Sequence, residues 1–247
     1  MNTVTTLKTP VNSTWNVSNG NGKKKNYTSD ASGIHVTYVK HKFASKAGVN
    51  FRAQPKGVFP TDTLLLEYDV FFPEDFDFVL GGKLPGMWGG AAGAGGGNWN
   101  DEGWSFRVMF REKGEAVAYV YMATDQGKYS GDEQCKLVKN QGNGFDDIAH
   151  HTNGAGIDLW RDQGLKFKKG QWNSVSLLAK CNSPGKADGM VSLIVNGETK
   201  IFKNIQWSEK KMKIAGLAFT TWFGGGSRRY APSKTQKASF KNIRLTT

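Results

Sequence analysis

The chain has 247 residues, 38% of them hydrophobic and 12% aromatic, enough for one large packed domain and short for two. Its 33 Lys and Arg against 21 Asp and Glu leave a formal net charge of +12, which attracts nucleic acid, anionic lipid or acidic polysaccharide without choosing between them. No apolar run approaches the ~18 residues of a membrane helix, and the stretch Met1–Lys8 lacks the apolar centre of a signal peptide.

Residues 1–30 are rich in Asn, Thr, Ser, Gly and Lys and include Lys23-Lys24-Lys25. They read as a polar segment at the edge of the fold. The sequons at Asn12, Asn16 and Asn26 are attributed to that composition rather than to glycans. Beyond Ser32, period-2 alternation predicts strands over Ile34–Val39, Val49–Gln54 and Leu64–Phe72. Next comes Gly81-Gly82-Lys83-Leu84-Pro85-Gly86-Met87-Trp88-Gly89-Gly90, read as a loop with a lone lysine between glycines and a Pro-Gly turn. Its glycines would let a substrate approach the backbone closely. It carries neither a dinucleotide fingerprint nor a P-loop. The run Gly89–Gly97, almost without side chains, reads equally as a mobile lid over a site or as a solvated loop, and so does the later loop Lys139–Gly156.

The most informative segment is a hairpin, with Trp104–Arg111 as one strand, Glu112-Lys113-Gly114 as its loop and Glu115–Met122 as the other strand. A three-residue loop ending in Gly pairs Arg111 with Glu115, Met109 with Val117, Arg107 with Tyr119 and Ser105 with Tyr121. Alternation then sorts the faces. Trp104, Phe106, Val108, Phe110, Ala116, Ala118, Val120 and Met122 face a core. Ser105, Arg107, Arg111, Tyr119, Tyr121 and Glu115 share the other face. A two-residue turn would mix the two sets and is rejected.

A second long loop, Lys139–Gly156, holds His150-His151. Adjacent histidines on a strand point opposite ways, so no metal site is assigned. Cys135 and Cys181 permit a disulfide without demanding it, and the absence of a C-x-x-C pair leaves a zinc ribbon unsupported. Further strands are predicted over Trp172–Ala179, Met190–Val195, Ile214–Trp222 and Ala238–Leu245. Asn196-Gly197 is a hairpin turn signal leading into Glu198–Phe202. No stretch sustains a 3.6-residue period. The fold class is therefore all-β, a sandwich or barrel, with a jelly-roll β-sandwich of antiparallel sheets the first choice.

The segments Gly81-Gly82-Lys83-Leu84-Pro85-Gly86, Trp104-Ser105-Phe106-Arg107 and Tyr119-Val120-Tyr121, in this order and spacing, resemble polysaccharide lyase family 14. The likeness runs from about Val49 to Leu245. It implies a jelly-roll lyase that cleaves alginate or glucuronate polymers by β-elimination, with no metal or other cofactor. With the polar segment at 1–30 set apart by its composition, the expected catalytic domain is 31–247, with a concave substrate-binding face. The family's functional residues fall on Lys83, Ser105, Arg107, Tyr119 and Tyr121, four of which the hairpin had already gathered on one face. Arg111 and Trp88, beside them, are expected to bind substrate. The expected partner is an acidic polysaccharide, not nucleic acid or membrane, and the chain is expected to act as a monomer.

Such a lyase removes the proton on C5 of a uronate and expels the oxygen on C4. A cation on the carboxylate stabilises the enolate-like intermediate, and Arg107 suits that task. Tyr121 or Lys83 is the expected base, the other assisting as acid or carboxylate ligand, with Tyr119 and Ser105 positioning the reactants. Two other readings compete. A sandwich-fold glycoside hydrolase would use a carboxylate pair, for which Glu67 and Asp69 are candidates, but Val70-Phe71-Phe72 follows where a further Glu is needed. A carbohydrate-binding module would stack sugars on exposed Trp88, Trp99 or Trp222, but would not require Lys, Arg and Tyr on one face. Nucleic-acid binding lacks a basic helix or an RNA-binding aromatic motif.

Overall fold

Apolar–polar alternation builds two antiparallel sheets in this computed structural model, which describes residues 3–18, 26–91, 93–126, 144–151 and 156–247. In chain order the strands are β1 (Val4–Thr6), β2 (Val17–Ser18), β3 (Tyr27–Asp30), β4 (Gly33–Tyr38), β5 (Val49–Ala53), β6 (Thr63–Phe72), β7 (Gly82–Gly90) and β8 (Gly103–Phe110). They continue with β9 (Ala116–Tyr121), β10 (Ala149–His151), β11 (Ile157–Leu159), β12 (Gln171–Lys180), β13 (Gly189–Val195), β14 (Glu198–Ile205), β15 (Ile214–Phe223) and β16 (Gln236–Thr246). One sheet is ordered β14-β13-β12-β6-β16-β4-β3, with β1 added beside β16. The other is ordered β10-β11-β9-β8-β7-β15-β5-β2. Among the described residues no α-helix forms. The all-β sandwich expected from the alternation is borne out.

The inner faces meet in one core. Leu64, Leu66, Val70 and Phe72 of β6 and Val175 and Leu177 of β12 pack opposite Phe106, Val108 and Phe110 of β8 and Leu217 and Phe219 of β15. Burial of each large side chain contributes about 1.5–3 kcal/mol. The β13–β14 turn has positive φ at both Asn196 and Gly197, as its sequence predicts. Of the polar N-terminal segment, β1 pairs with β16, β2 with β5 and β3 with β4, and Trp15 is fully buried. Asn26, in one of the sequons, is buried and donates to the Gly48 carbonyl at 3.2 Å. Cys135 and Lys23-Lys24-Lys25 lie outside the described residues, as does half of the predicted 139–156 loop, residues 139–143 and 152–155.

The segment read as a lysine loop is instead β7, between β8 and β15. Pro85 is the reason sequence pattern fails there. Pairing with β8 skips from Lys83 to Gly86, and pairing with β15 skips from Trp222 to Ala218. The proline thus sits in a bulge, where its missing N–H breaks no ladder. Two glycines of β7, Gly82 and Gly89, admit the protein's own aromatic side chains. A Cβ on Gly82 would lie 2.3 Å from the Phe110 ring, and one on Gly89 would lie 2.2 Å from the Trp104 ring.

Candidate active site

The register of β7, β8 and β9 sets the site residues in cross-strand rows. Trp88, Ser105 and Tyr121 oppose one another in the first row. Gly86, Arg107 and Tyr119 form the next, and Lys83, Met109 and Val117 a third. The middle row continues through Asp158 to His150 on one side, and through Ala218 to Arg52 on the other. The hairpin register predicted from the three-residue loop is the one observed, including the Arg111 N–H bond to the Glu115 carbonyl at 2.7 Å.

This face is covered rather than open. Ser105 and Tyr121 are fully buried, Tyr119 is 4% exposed and Lys83 7%. Both loops singled out in the sequence reach it. The Gly97 N–H donates to the Tyr121 hydroxyl at 2.9 Å, and the Gly156 N–H donates to the Tyr119 hydroxyl at 2.8 Å. A Cβ on Gly95 would lie 2.6 Å from Arg107 Nη1, and one on Gly156 would lie 2.5 Å from the Tyr121 ring. Residues without side chains are what allow backbone to rest on these groups.

The two phenols are bonded, Oη to Oη, at 3.1 Å. Each oxygen also accepts a backbone N–H, so one hydroxyl donates to the other and one phenolic proton remains to donate outward. Burial, then the neighbouring Tyr121, raises the Tyr119 pKa and keeps its proton on. Lys83 Nζ lies 5.2 Å from the Tyr119 ring centroid and 5.6 Å from that of Trp222. Burial, then the charges of Arg107 and Arg111, brings the Lys83 pKa down to about 7.

Arg111 is placed differently from Arg107. Its Nη2 bonds Asp158 Oδ1 at 2.5 Å, and Arg161 Nη1 stands 3.8 Å from the other oxygen of that fully buried carboxylate. Lys83 and Arg107 make no ion pair among the described residues. Trp88 is not the exposed platform that the competing binding-module reading needed. It is 7% exposed, with the Arg52 guanidinium 4.5 Å from its ring centroid. Trp99 packs on Tyr121, with centroids 4.4 Å apart, and Trp222 lies beneath Lys83.

Polar atoms buried without a hydrogen-bond partner among the described residues concentrate here. They are Trp88 Nε1, Trp99 Nε1, Ser105 Oγ, Arg107 Nε, Arg111 Nε and Asp158 Oδ2; the remaining one, Trp104 Nε1, faces the core. Each such group costs about 1–3 kcal/mol, a burden a fold carries where a ligand must be held. The carboxylates of the competing hydrolase reading lie elsewhere, on the outer face of the opposite sheet. There Glu67 meets Arg244 at 3.4 Å and Asp69 accepts from Asn242 at 2.6 Å. In the strand register His150 pairs with Asp158 and His151 with Ile157. Among the described residues no group of three or more His, Cys, Asp or Glu could hold a metal ion.

Residues 26–243 match the family described as Polysaccharide lyase 14. The chain belongs to that family. Exolysin of Paramecium bursaria Chlorella virus 1 is 27% identical over 183 residues, 67% of this chain and 26% of that protein. The match thus spans about a quarter of the length of that curated relative. The crystal structure of the alginate lyase vAL-1 from Chlorella virus superposes with a TM-score of 0.75 at 28% identity, covering 95% of this chain and 93% of that one. The marine PL-14 alginate lyase from Aplysia kurodai gives a TM-score of 0.76 at 25% identity, covering 93% and 89%. The polysaccharide lyase 14 resemblance seen in Lys83, Ser105-Phe106-Arg107 and Tyr119-Val120-Tyr121 is borne out, and this is a polysaccharide lyase domain.

Sequence reasoning missed Arg52 and Asp158 at this face, and named Trp99 only as a sugar-stacking candidate of the competing binding-module reading. Asp158 had a signal, a lone acid between Ile157 and Leu159 in a short alternating stretch. Arg52 alternates with Val49, Phe51 and Ala53 on a strand that was predicted, but nothing local ties that strand to β7.

Proposed function

We propose that this domain cleaves uronate-containing polysaccharides, glucuronan or alginate, by β-elimination, leaving a C4–C5 unsaturated uronate at the new end. One observation carries the reading: the Lys83 amine and the Arg107 guanidinium stand without a carboxylate partner among the described residues, beside a phenol pair with a proton to give. The two solved relatives described as alginate lyases support the polymer class. In the proposed cycle Arg107 grips the uronate carboxylate and stabilises the charge that develops when C5 loses its proton. Neutral Lys83 takes that proton. The C5–H electrons form the C4–C5 double bond, and the C4–O bond breaks with its electron pair on oxygen. The Tyr119–Tyr121 pair protonates the departing oxygen, with Tyr121 the donor of choice. The lysine proton then returns to the phenolate. Ser105, with its hydroxyl unpaired beside Trp88 and Tyr121, orients the sugar.

The test is absorbance of unsaturated uronate during incubation with glucuronan and with alginate, followed across pH. Lys83 must be neutral to act, so kcat/KM rises as pH passes about 7 and levels off above it. Saturated products incorporating water, or a rate that falls through the same interval, would overturn the proposal.

A further inference from the structure

Arg52 stands on the site face of β5, and what surrounds it is built to bring its charge toward Arg107. Between β5 and β7 runs β15, which offers only Ala218 opposite Arg52 and Gly216 opposite Trp88. A Cβ on Gly216 would lie 2.8 Å from Trp88 Nε1, so no side chain fits there. The Arg52 stem is therefore free to cross β15 and lay its guanidinium on the Trp88 ring, 4.5 Å from the centroid. Trp88 in turn opposes Ser105, and Gly86, next along β7 on this face, opposes Arg107. Strands are spaced ~4.8 Å apart, so the Arg52 and Arg107 backbones stand ~14 Å apart while the reach of Arg52 closes most of that gap. Gly86 carries no side chain of its own, and the place its Cβ would take is filled by the β8 backbone and the Arg107 stem, 3.0 Å away at Cγ.

Arg52 has no ion pair with a carboxylate among the described residues. Burial works against its charge, and that charge in turn bears on Arg107. Two like charges brought together on a partly desolvated face are unfavourable alone and become favourable when anions sit between them. A uronate polymer carries a carboxylate on every sugar. Its repeat therefore offers a second anion next to the one held at the reacting centre.

We propose that Arg52, laid flat on Trp88 across Gly216 and Ala218, is a second carboxylate-binding residue that holds the uronate neighbouring the one at Arg107. Trp88 is then a positioning residue that aims Arg52, rather than a surface for stacking sugar. The inference rests on the proposed uronate chemistry and adds a register to it: the polymer crosses the strands from β8 toward β5.

The experiment compares the unsubstituted chain with Arg52→Met, which keeps the apolar stem on Trp88, and with Arg52→Lys, which keeps the charge but not the planar fork. Rates are followed by unsaturated-uronate absorbance on glucuronan and alginate, each with free and with methyl-esterified carboxyls. Arg52→Met should raise KM ~10-fold or more, the worth of a charge-assisted hydrogen bond, and leave kcat within about twofold, because the bond lost lies away from the reacting bond. Arg52→Lys should recover part of that loss. Heavy esterification should erase the difference between the unsubstituted chain and Arg52→Met. An unchanged KM in a folded Arg52→Met protein, or a loss confined to kcat, overturns the role of Arg52 alone. If the unsubstituted chain neither binds nor cleaves either polymer, the uronate reading itself fails, and this inference with it. If Arg52→Met does not fold, Arg52→Lys decides: KM unchanged on free-acid polymer and equally insensitive to esterification overturns the inference.

Discussion

The two outward faces of the sandwich hold the same residue types and treat them in opposite ways. On the sheet of β6, β12 and β16, Glu67 answers Arg244, Asp69 takes the Asn242 amide, and Lys241 lies 4.1 Å from the ring centroid of Trp172, which is 39% exposed. Charge there is met locally, in water, and each ion pair contributes only ~0–1 kcal/mol. On the sheet of β7, β8 and β9, Lys83 is buried and Arg107 stands with its Nε unpartnered, while the nearest buried carboxylate, Asp158, is taken by Arg111. A net charge of +12 is spread over the whole molecule and singles out neither face. What separates them is desolvation of unpaired cations. That arrangement is costly to the fold and useful to a site that must bind an anion and move a proton.

Lys83→Met is the strongest way to break this comparison. It removes the proposed base and should lower kcat by ~10²–10⁴-fold. The same change should stabilise the fold, with a definite pH signature. The folded pKa of about 7 lies below the ordinary value of 10.5, so the unfolded chain holds the extra proton between those two values. Burial of Lys83 therefore costs stability in full below pH about 7, and the cost fades as pH rises toward 10.5. The stability gained by Lys83→Met should be largest at mildly acidic pH and shrink on the alkaline side, read by denaturant melts at several pH values. A variant as active as the parent, or one uniformly less stable, would mean that Lys83 belongs with the surface lysines.

Neighbouring residues of β8 sharpen the contrast between site and core. Arg107→Ala should lower kcat/KM by ~10²-fold or more through loss of an anion-stabilising donor, while the protein stays folded. Phe106→Ala, one residue away and fully buried in the core, should cost ~3–5 kcal/mol of stability. Activity at a temperature where both remain folded, together with melting curves, separates the two effects. Full activity in folded Arg107→Ala would remove Arg107 from the mechanism.

The smallest effect is expected on the other sheet. Glu67→Gln and Asp69→Asn, singly or together, should leave kcat within about twofold, because exposed pairs of this kind carry little free energy. Loss of activity from either would move the chemistry to the opposite face of the sandwich and revive a carboxylate-pair mechanism.

The hairpin from Trp104 to Met122 was legible in full because its geometry is local. A three-residue loop with Gly114 at φ +79 fixes the register, and a period of two then assigns every side chain to core or site. Four of the proposed site residues lie within it. Lys83 was legible only as part of a motif, since the bulge at Pro85 breaks the alternation that would have marked β7 as a strand. The closure of the site was legible only as one of two readings of each loop, lid or solvated loop, and the groups each loop would cover were not legible. Nothing in a run of glycines says that Gly95 will lie on Arg107, or that Gly156 will lie on the phenols of Tyr119 and Tyr121.

The sequence by itself determined an all-β chain, the two faces of one hairpin and the family signature, because these depend on neighbours in the chain and on a period of two. The tertiary structure alone decided which strands lie side by side. That ordering set β5 and β15 against β7, laid Arg52 on Trp88, and brought Asp158 to Arg111 from 47 residues away. The physical reason is that strand pairing across long loops is chosen by how whole faces pack against one another. The charge of Lys83 is set by the burial that results, which no stretch of sequence carries on its own.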